Sequence, residues 1–140
     1  MNIKGRVRIE VSDGRVFEQD NIVTNGGRDR IAALIAQDTT SFPSHIAIGT
    51  GSTAFVVTDT TLDTEVDRNA IASSTASSGA TTFKAFFDKN EANGNTIAEV
   101  GIFDAAAAGT MLCAAVLAST VAKTSSVTLT ITWTWTFADA

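Results

Sequence analysis

The chain has no tyrosine, one cysteine, one proline and one histidine among 140 residues. Each shortage closes off some chemistry. A lone cysteine, Cys113, cannot form an intrachain disulfide. It sits in the apolar run Met111-Leu112-Cys113-Ala114-Ala115. A buried small hydrophobe fits there better than a thiolate nucleophile, which needs basic neighbours. One cysteine and one histidine cannot supply the ligand spacing of a zinc site. His45 follows Pro43 and Ser44 at the start of an apolar stretch. It reads as a surface or satisfied-core residue rather than a catalytic base. Without tyrosine, any aromatic sugar-binding platform would fall to Trp133 and Trp135, which would then have to face solvent.

Charge is scarce as well. Charged residues make up 18% of the chain and the net charge is −5. The polyanionic backbone of nucleic acid would be repelled, so no nucleic-acid partner is expected. Lys4, Arg6 and Arg8 form a short basic row, but Glu10 and Asp13 follow at once, as on a solvated strand face. A low-charge surface suits a protein partly covered by neighbours; a compact domain rich in Thr, Ser and Ala is the plainer alternative. The longest apolar run, residues 111–122, is interrupted by Ser119 and Thr120 and is too short to span a bilayer. No membrane partner is expected. The first ten residues alternate charged and apolar side chains, which reads as a strand rather than a signal peptide. The expected location is the reducing cytoplasm, unless an assembly carries the protein out.

Against these shortages stands one long pattern. In residues 126–137, Val127, Leu129, Ile131, Trp133, Trp135 and Phe137 alternate with Thr128, Thr130, Thr132, Thr134 and Thr136. A period of two belongs to a strand and not to a helix. Similar alternation runs through Ile3, Gly5, Val7, Ile9 and Val11, followed by an Asp13-Gly14 hairpin signal. Further strands are read at 16–23, 44–48, 81–88, 96–103 and 110–117. Residues 53–67 read as loose chain, and 73–79 as a mobile hairpin tip. Ile31, Leu34 and Ile35 mark one short helix over 28–37, with Thr24 or Asn25 able to cap it. The sum is a single mainly β domain over 1–140: an antiparallel sandwich or barrel of seven to eight strands with one short helix.

The stretches that might carry chemistry mostly dissolve on inspection. Gly49-Thr50-Gly51-Ser52 follows a strand, but it lacks the third glycine of a dinucleotide loop and the lysine of a P-loop. Tight glycines at a strand exit are the simpler reading. Residues 88–99 resemble a calcium loop in having Asp88, Asn90 and Glu99 at its first, third and twelfth positions. Ala92 at the fifth position and Gly94 one residue late break the pattern. Glu99 lies inside an apolar strand, where an unpaired charge is costly. Arg68 or another cation is the expected partner, with Arg68–Glu99 the structural ion pair expected first. No catalytic residues, metal ligands or cofactor are expected.

A set of short motifs recurs in order: Asn21-Ile22-Val23-Thr24-Asn25-Gly26-Gly27 before the helix, then Ile46-Ala47-Ile48-Gly49-Thr50-Gly51. Leu62-Asp63-Thr64-Glu65-Val66-Asp67-Arg68 follows, then Ile97-Ala98-Glu99-Val100-Gly101-Ile102-Phe103-Asp104 and Gly109-Thr110-Met111-Leu112. With the final threonine strand, this order resembles small structural proteins of tailed bacteriophages, of the tail-fibre or tail-collar type. The alanine run 105–108 departs from it. The resemblance implies a non-enzymatic virion protein, made in the bacterial host cytoplasm. It would be a homo-oligomer at the tail, fibre base or baseplate, with other virion proteins as partners. A head decoration protein and a host-receptor or carbohydrate-binding module are the alternatives. Thr128, Thr130, Thr132 and Thr134 are the candidate interface.

Overall fold

Two kinds of strand are written into the chain, and they build two kinds of sheet. Strands that alternate polar and apolar residues can leave one face in water; strands that are apolar throughout must be covered on both faces. The computed structural model describes residues 2–139. In chain order it contains β1 (Asn2–Val11), β2 (Val16–Asp20), β3 (Ile22–Val23), α1 (Asn25–Ile35), β4 (His45–Gly49) and β5 (Glu65–Ala70). Then follow β6 (Ser73–Ser77), β7 (Ala80–Phe87), β8 (Asn95–Phe103), β9 (Met111–Lys123) and β10 (Leu129–Ala138).

The strands form two antiparallel five-stranded sheets, ordered β2-β1-β10-β7-β6 and β3-β9-β8-β4-β5. The first contains the alternating strands. Val7, Ile9 and Val11 of β1, Ile131, Trp133 and Trp135 of β10, and Phe83, Ala85 and Phe87 of β7 point inward. They meet Ile46, Ile48, Val100, Ile102, Cys113 and Ala115 of the second sheet in one core. Phe83 and Trp135 pack edge to face, ring centroids 5.0 Å apart. The second sheet is buried on its other face too. There Ala47, Phe103, Met111 and Ala114 are roofed by Phe55 and Leu62 from the loop 50–64. This double burial explains why β8 and the first half of β9 read as nearly continuous apolar runs.

The mainly β fold and the single helix agree with expectation, but the strand count does not. Three short strands account for the difference. Residues 16–23 split into β2 and β3, because Asn21 turns the chain from one sheet to the other. Residues 65–70, of which 65–67 fall in the stretch expected to be loose, form β5. Residues 73–77, expected to be a mobile tip, form β6. The helix also starts three residues early, at Asn25. Thr24 is its cap: its Oγ1 accepts from Gly27 N at 3.0 Å and donates to the Met111 carbonyl at 2.6 Å. The helix N-terminus thus presses on β9 so closely that a Cβ on Gly27 would collide with the Leu112 backbone.

Candidate functional site

Glu99 is fully buried, but its partner is not Arg68. Its carboxylate accepts three backbone N–H groups, from Gly51 and Asp63 at 2.8 Å and Thr64 at 2.7 Å. The expected Arg68–Glu99 pair is therefore corrected. Glu99 projects from β8 to the outer face of the second sheet and staples both ends of the loop 50–64 onto it. The glycines are part of the same device. A Cβ on Gly51 would lie 2.6 Å from Glu99 Oε2, and one on Gly49 would lie 2.5 Å from it. They let the carboxylate approach the chain, which is a scaffold role and not a phosphate cradle.

Arg68 does other work. Its guanidinium forks onto Glu65, with Nη2 2.6 Å from Oε1 and Nε 2.9 Å from Oε2. Its Nη1 donates to the carbonyls of Ala105 at 3.0 Å and Ala108 at 2.8 Å. The same group lies 3.7 Å from the Phe103 ring centroid. Arg68 thus fixes the alanine turn that departs from the resembled pattern. Asp104 holds the turn from its other side, accepting from Thr110 N at 2.7 Å and pairing with Arg30 of α1 at 2.9 Å.

The stretch 88–99 is not assembled as a calcium loop. Glu99, its twelfth residue, faces the loop 50–64 instead. Asp88 Oδ1 caps Asn90 N, and Asn93 Oδ1 accepts from the buried ammonium of Lys123 at 2.8 Å. Lys123 and Gln19 are structural residues that sequence reasoning passed over, and Asn21, read there as part of a motif, is a third. The Gln19 amide reaches across to β9, donating to Val116 O and accepting from Ala118 N at 2.7 Å. Asn21 Oδ1 accepts from Trp133 Nε1 at 2.6 Å. Lys123 closes an apolar run before Thr124-Ser125-Ser126, where a charge reads as solvated, and an isolated glutamine gives no signal.

His45 bonds to Ser44 at 2.8 Å through Nδ1, and burial, aided by the Arg68 charge, lowers its pKa. Burial pushes the Cys113 thiol far above its usual range. Neither is poised as a nucleophile–base pair. Among the described residues, no cluster of three His, Cys, Asp or Glu side chains could hold a metal ion. No described helix is long and apolar enough to cross a membrane.

The outer face of the first sheet is where unassigned surface is gathered. At its centre Thr130, Thr132 and Thr134 of β10 stand half-buried in a row; Thr136 continues it, exposed. Thr128 precedes β10 and is pinned by Ser12, which accepts from its N–H at 2.9 Å. On one flank, register puts Glu10 beside Thr130, Arg8 beside Thr132, Arg6 beside Thr134 and Lys4 beside Thr136. Arg8 pairs with Glu18 at 2.9 Å and Glu10 at 3.2 Å, and Arg6 pairs with Asp20 at 2.9 Å. The Arg8 hydrogen bond holds the Glu18 carboxyl below its usual range. On the other flank stand Phe86, Lys84 and Thr82 of β7. Thr82 and Thr134 hydroxyls are 3.5 Å apart. A trough of about 600 Å³ follows the threonine row along β1 and β10. Trp133 and Trp135 lie on the opposite, buried face. No protein family, curated protein or solved structure matches the chain.

Proposed function

We propose that this chain is a non-enzymatic structural subunit of a tailed-bacteriophage virion, working as a homo-oligomer at the tail, fibre base or baseplate. The ordered motifs suggest the class. The observation that carries the mode of action is the outer face of the first sheet. Its centre is an uncharged threonine row, and the arginines beside it are already paired with Glu10, Glu18 and Asp20. Such a face can be covered by a neighbour without burying an unpaired arginine, and Lys4 and Lys84 on its flanks would take acceptors from that neighbour. The motif residues themselves are committed to the scaffold: Thr24 to the helix cap, Glu99 to its loop, Arg68 to its turn.

Docking on this face is tested by Thr130→Lys and Thr132→Lys. Both should leave the unfolding free energy of the monomer within about 0.5 kcal/mol of the parent. Both should abolish incorporation into particles, read by labelling intact virions. Normal incorporation of both variants overturns the threonine face as the contact. A stable monomer that never associates with virions overturns the whole reading. Pull-down against isolated capsid and tail proteins separates the tail position from head decoration. A sugar-binding module built on aromatic stacking is disfavoured, because both tryptophans are in the core.

A further inference from the structure

A sheet edge is a row of unpaired backbone N–H and C=O groups, and it pairs with other chains unless it is blocked. The two sheets have four edges: β2, β6, β3 and β5. Three are blocked. Gln19 of β2 is bonded to the β9 backbone, and β2 also carries Glu18 and Asp20. β3 is two residues long and runs straight into the helix cap. β5 carries Glu65, Asp67 and Arg68 and has a register irregularity against β4.

The fourth edge has none of these devices. β6 is Ser73-Ser74-Thr75-Ala76-Ser77, with every residue exposed. It pairs regularly with β7 over all five residues, without a bulge. It holds no charge, no proline and no bulky side chain. Both of its faces are bare, so it stands out from the sandwich as a flange.

We infer that β6 is a homotypic docking edge, which pairs antiparallel with β6 of a second copy about a two-fold axis at Thr75. Charge argues for this edge over the others in such a pairing. Copies with a net charge of −5 repel each other, and the charged edges β2 and β5 would bring carboxylates together. Of the edges longer than two residues, only β6 offers a neutral approach. Its sequence is also nearly self-complementary when reversed. The two-fold sets Thr75 against Thr75, Ser74 against Ala76 and Ser73 against Ser77, all small side chains that fit closely opposed positions. The result is one ten-stranded sheet across two subunits, with both threonine faces on that sheet. This deepens the proposed function by naming a contact for its oligomer, and it does not depend on the location in the virion.

A five-residue pairing falls below the size of a stable interface, so the dimer is weak in dilute solution and is best trapped covalently. The single native cysteine is buried, so an introduced one is the accessible thiol. With oxidised glutathione as oxidant, Thr75→Cys should give about tenfold more disulfide-linked dimer than Ser73→Cys or Ser77→Cys alone. Mixing Ser73→Cys with Ser77→Cys should restore the cross-link. Equal cross-linking at all three positions, or none at Thr75, overturns the pairing. A second arm does not need a disulfide. At protein concentrations high enough for the parent to self-associate in sedimentation, Thr75→Lys and Thr75→Glu should each lose that association, and an equimolar mixture should regain it. Unchanged self-association of Thr75→Lys overturns the proposal, as does capture of a different virion protein by β6 without homotypic cross-linking. If virions label normally while β6 fails these tests, the structural reading stands and this edge falls. If β6 cross-links but virions never label, the reverse holds.

Discussion

Glu99 solves at one residue the problem of a charge in an apolar strand, and it does so with backbone donors rather than a cation. Three N–H groups converge on its carboxylate, and those N–H groups belong to both ends of one loop. Hydrogen bonds to a charged acceptor are stronger than neutral ones, and losing the acceptor strands the donors. Glu99→Ala should therefore destabilise the fold by about 3 kcal/mol in urea denaturation. Arg68→Ala should cost about 1–2 kcal/mol, through the lost Phe103 stacking and turn contacts. Because the two side chains share no partner, the double variant should match the sum to within about 0.5 kcal/mol. A coupling well above that would restore a direct link between them. The sequence showed that Glu99 needed help, since it stands among Ala98, Val100 and Ile102. It did not show the helper, because backbone N–H groups leave no mark in a residue pattern, whereas a nearby arginine does.

At the scale of the elements, legibility followed burial. β1 and β10 were plain because each has one buried face and one solvated face, which imposes strict alternation. β5 and β6 were hidden because neither has a well-buried face. β6 is exposed throughout, and β5 is at best half-buried. Such strands exist through their neighbours' hydrogen bonds, not through their own side chains. The helix was legible from Ile31, Leu34 and Ile35, yet Ile35 is 75% exposed and the element is anchored mainly at its other end. Thr24 and Gly27 supply that anchor. Thr24→Ala removes the cap and the bond to Met111 O, and should cost about 1–2 kcal/mol. Gly27→Ala should cost more than Thr24→Ala, because its methyl group meets the Leu112 backbone, which cannot swing aside as a side chain would. Urea midpoints of the two variants give the order directly. A neutral Gly27→Ala would mean that the helix can lift from β9.

For the whole molecule, the pairing of β1 with β10 has the widest reach. Asn2 is opposite Ala138 and Val11 is opposite Leu129, so the longest ladder of the first sheet joins segments from opposite ends of the described chain. Contacts between residues far apart in sequence are slow to form, since the intervening loop must first be closed. Refolding from urea should therefore fall in the millisecond-to-second range typical of such topologies, measured by tryptophan fluorescence as Trp133 and Trp135 enter the core. Synthesis on the ribosome adds an ordering to this. β1 can pair with β2 as soon as both have emerged, but its other edge has no partner until β10 has left the exit tunnel, more than a hundred residues later. The threonine row lies on β10 itself, and the arginines beside it take their places only when β1 closes onto that strand. A nascent chain consequently cannot display this surface before β10 is made and closed upon by β1.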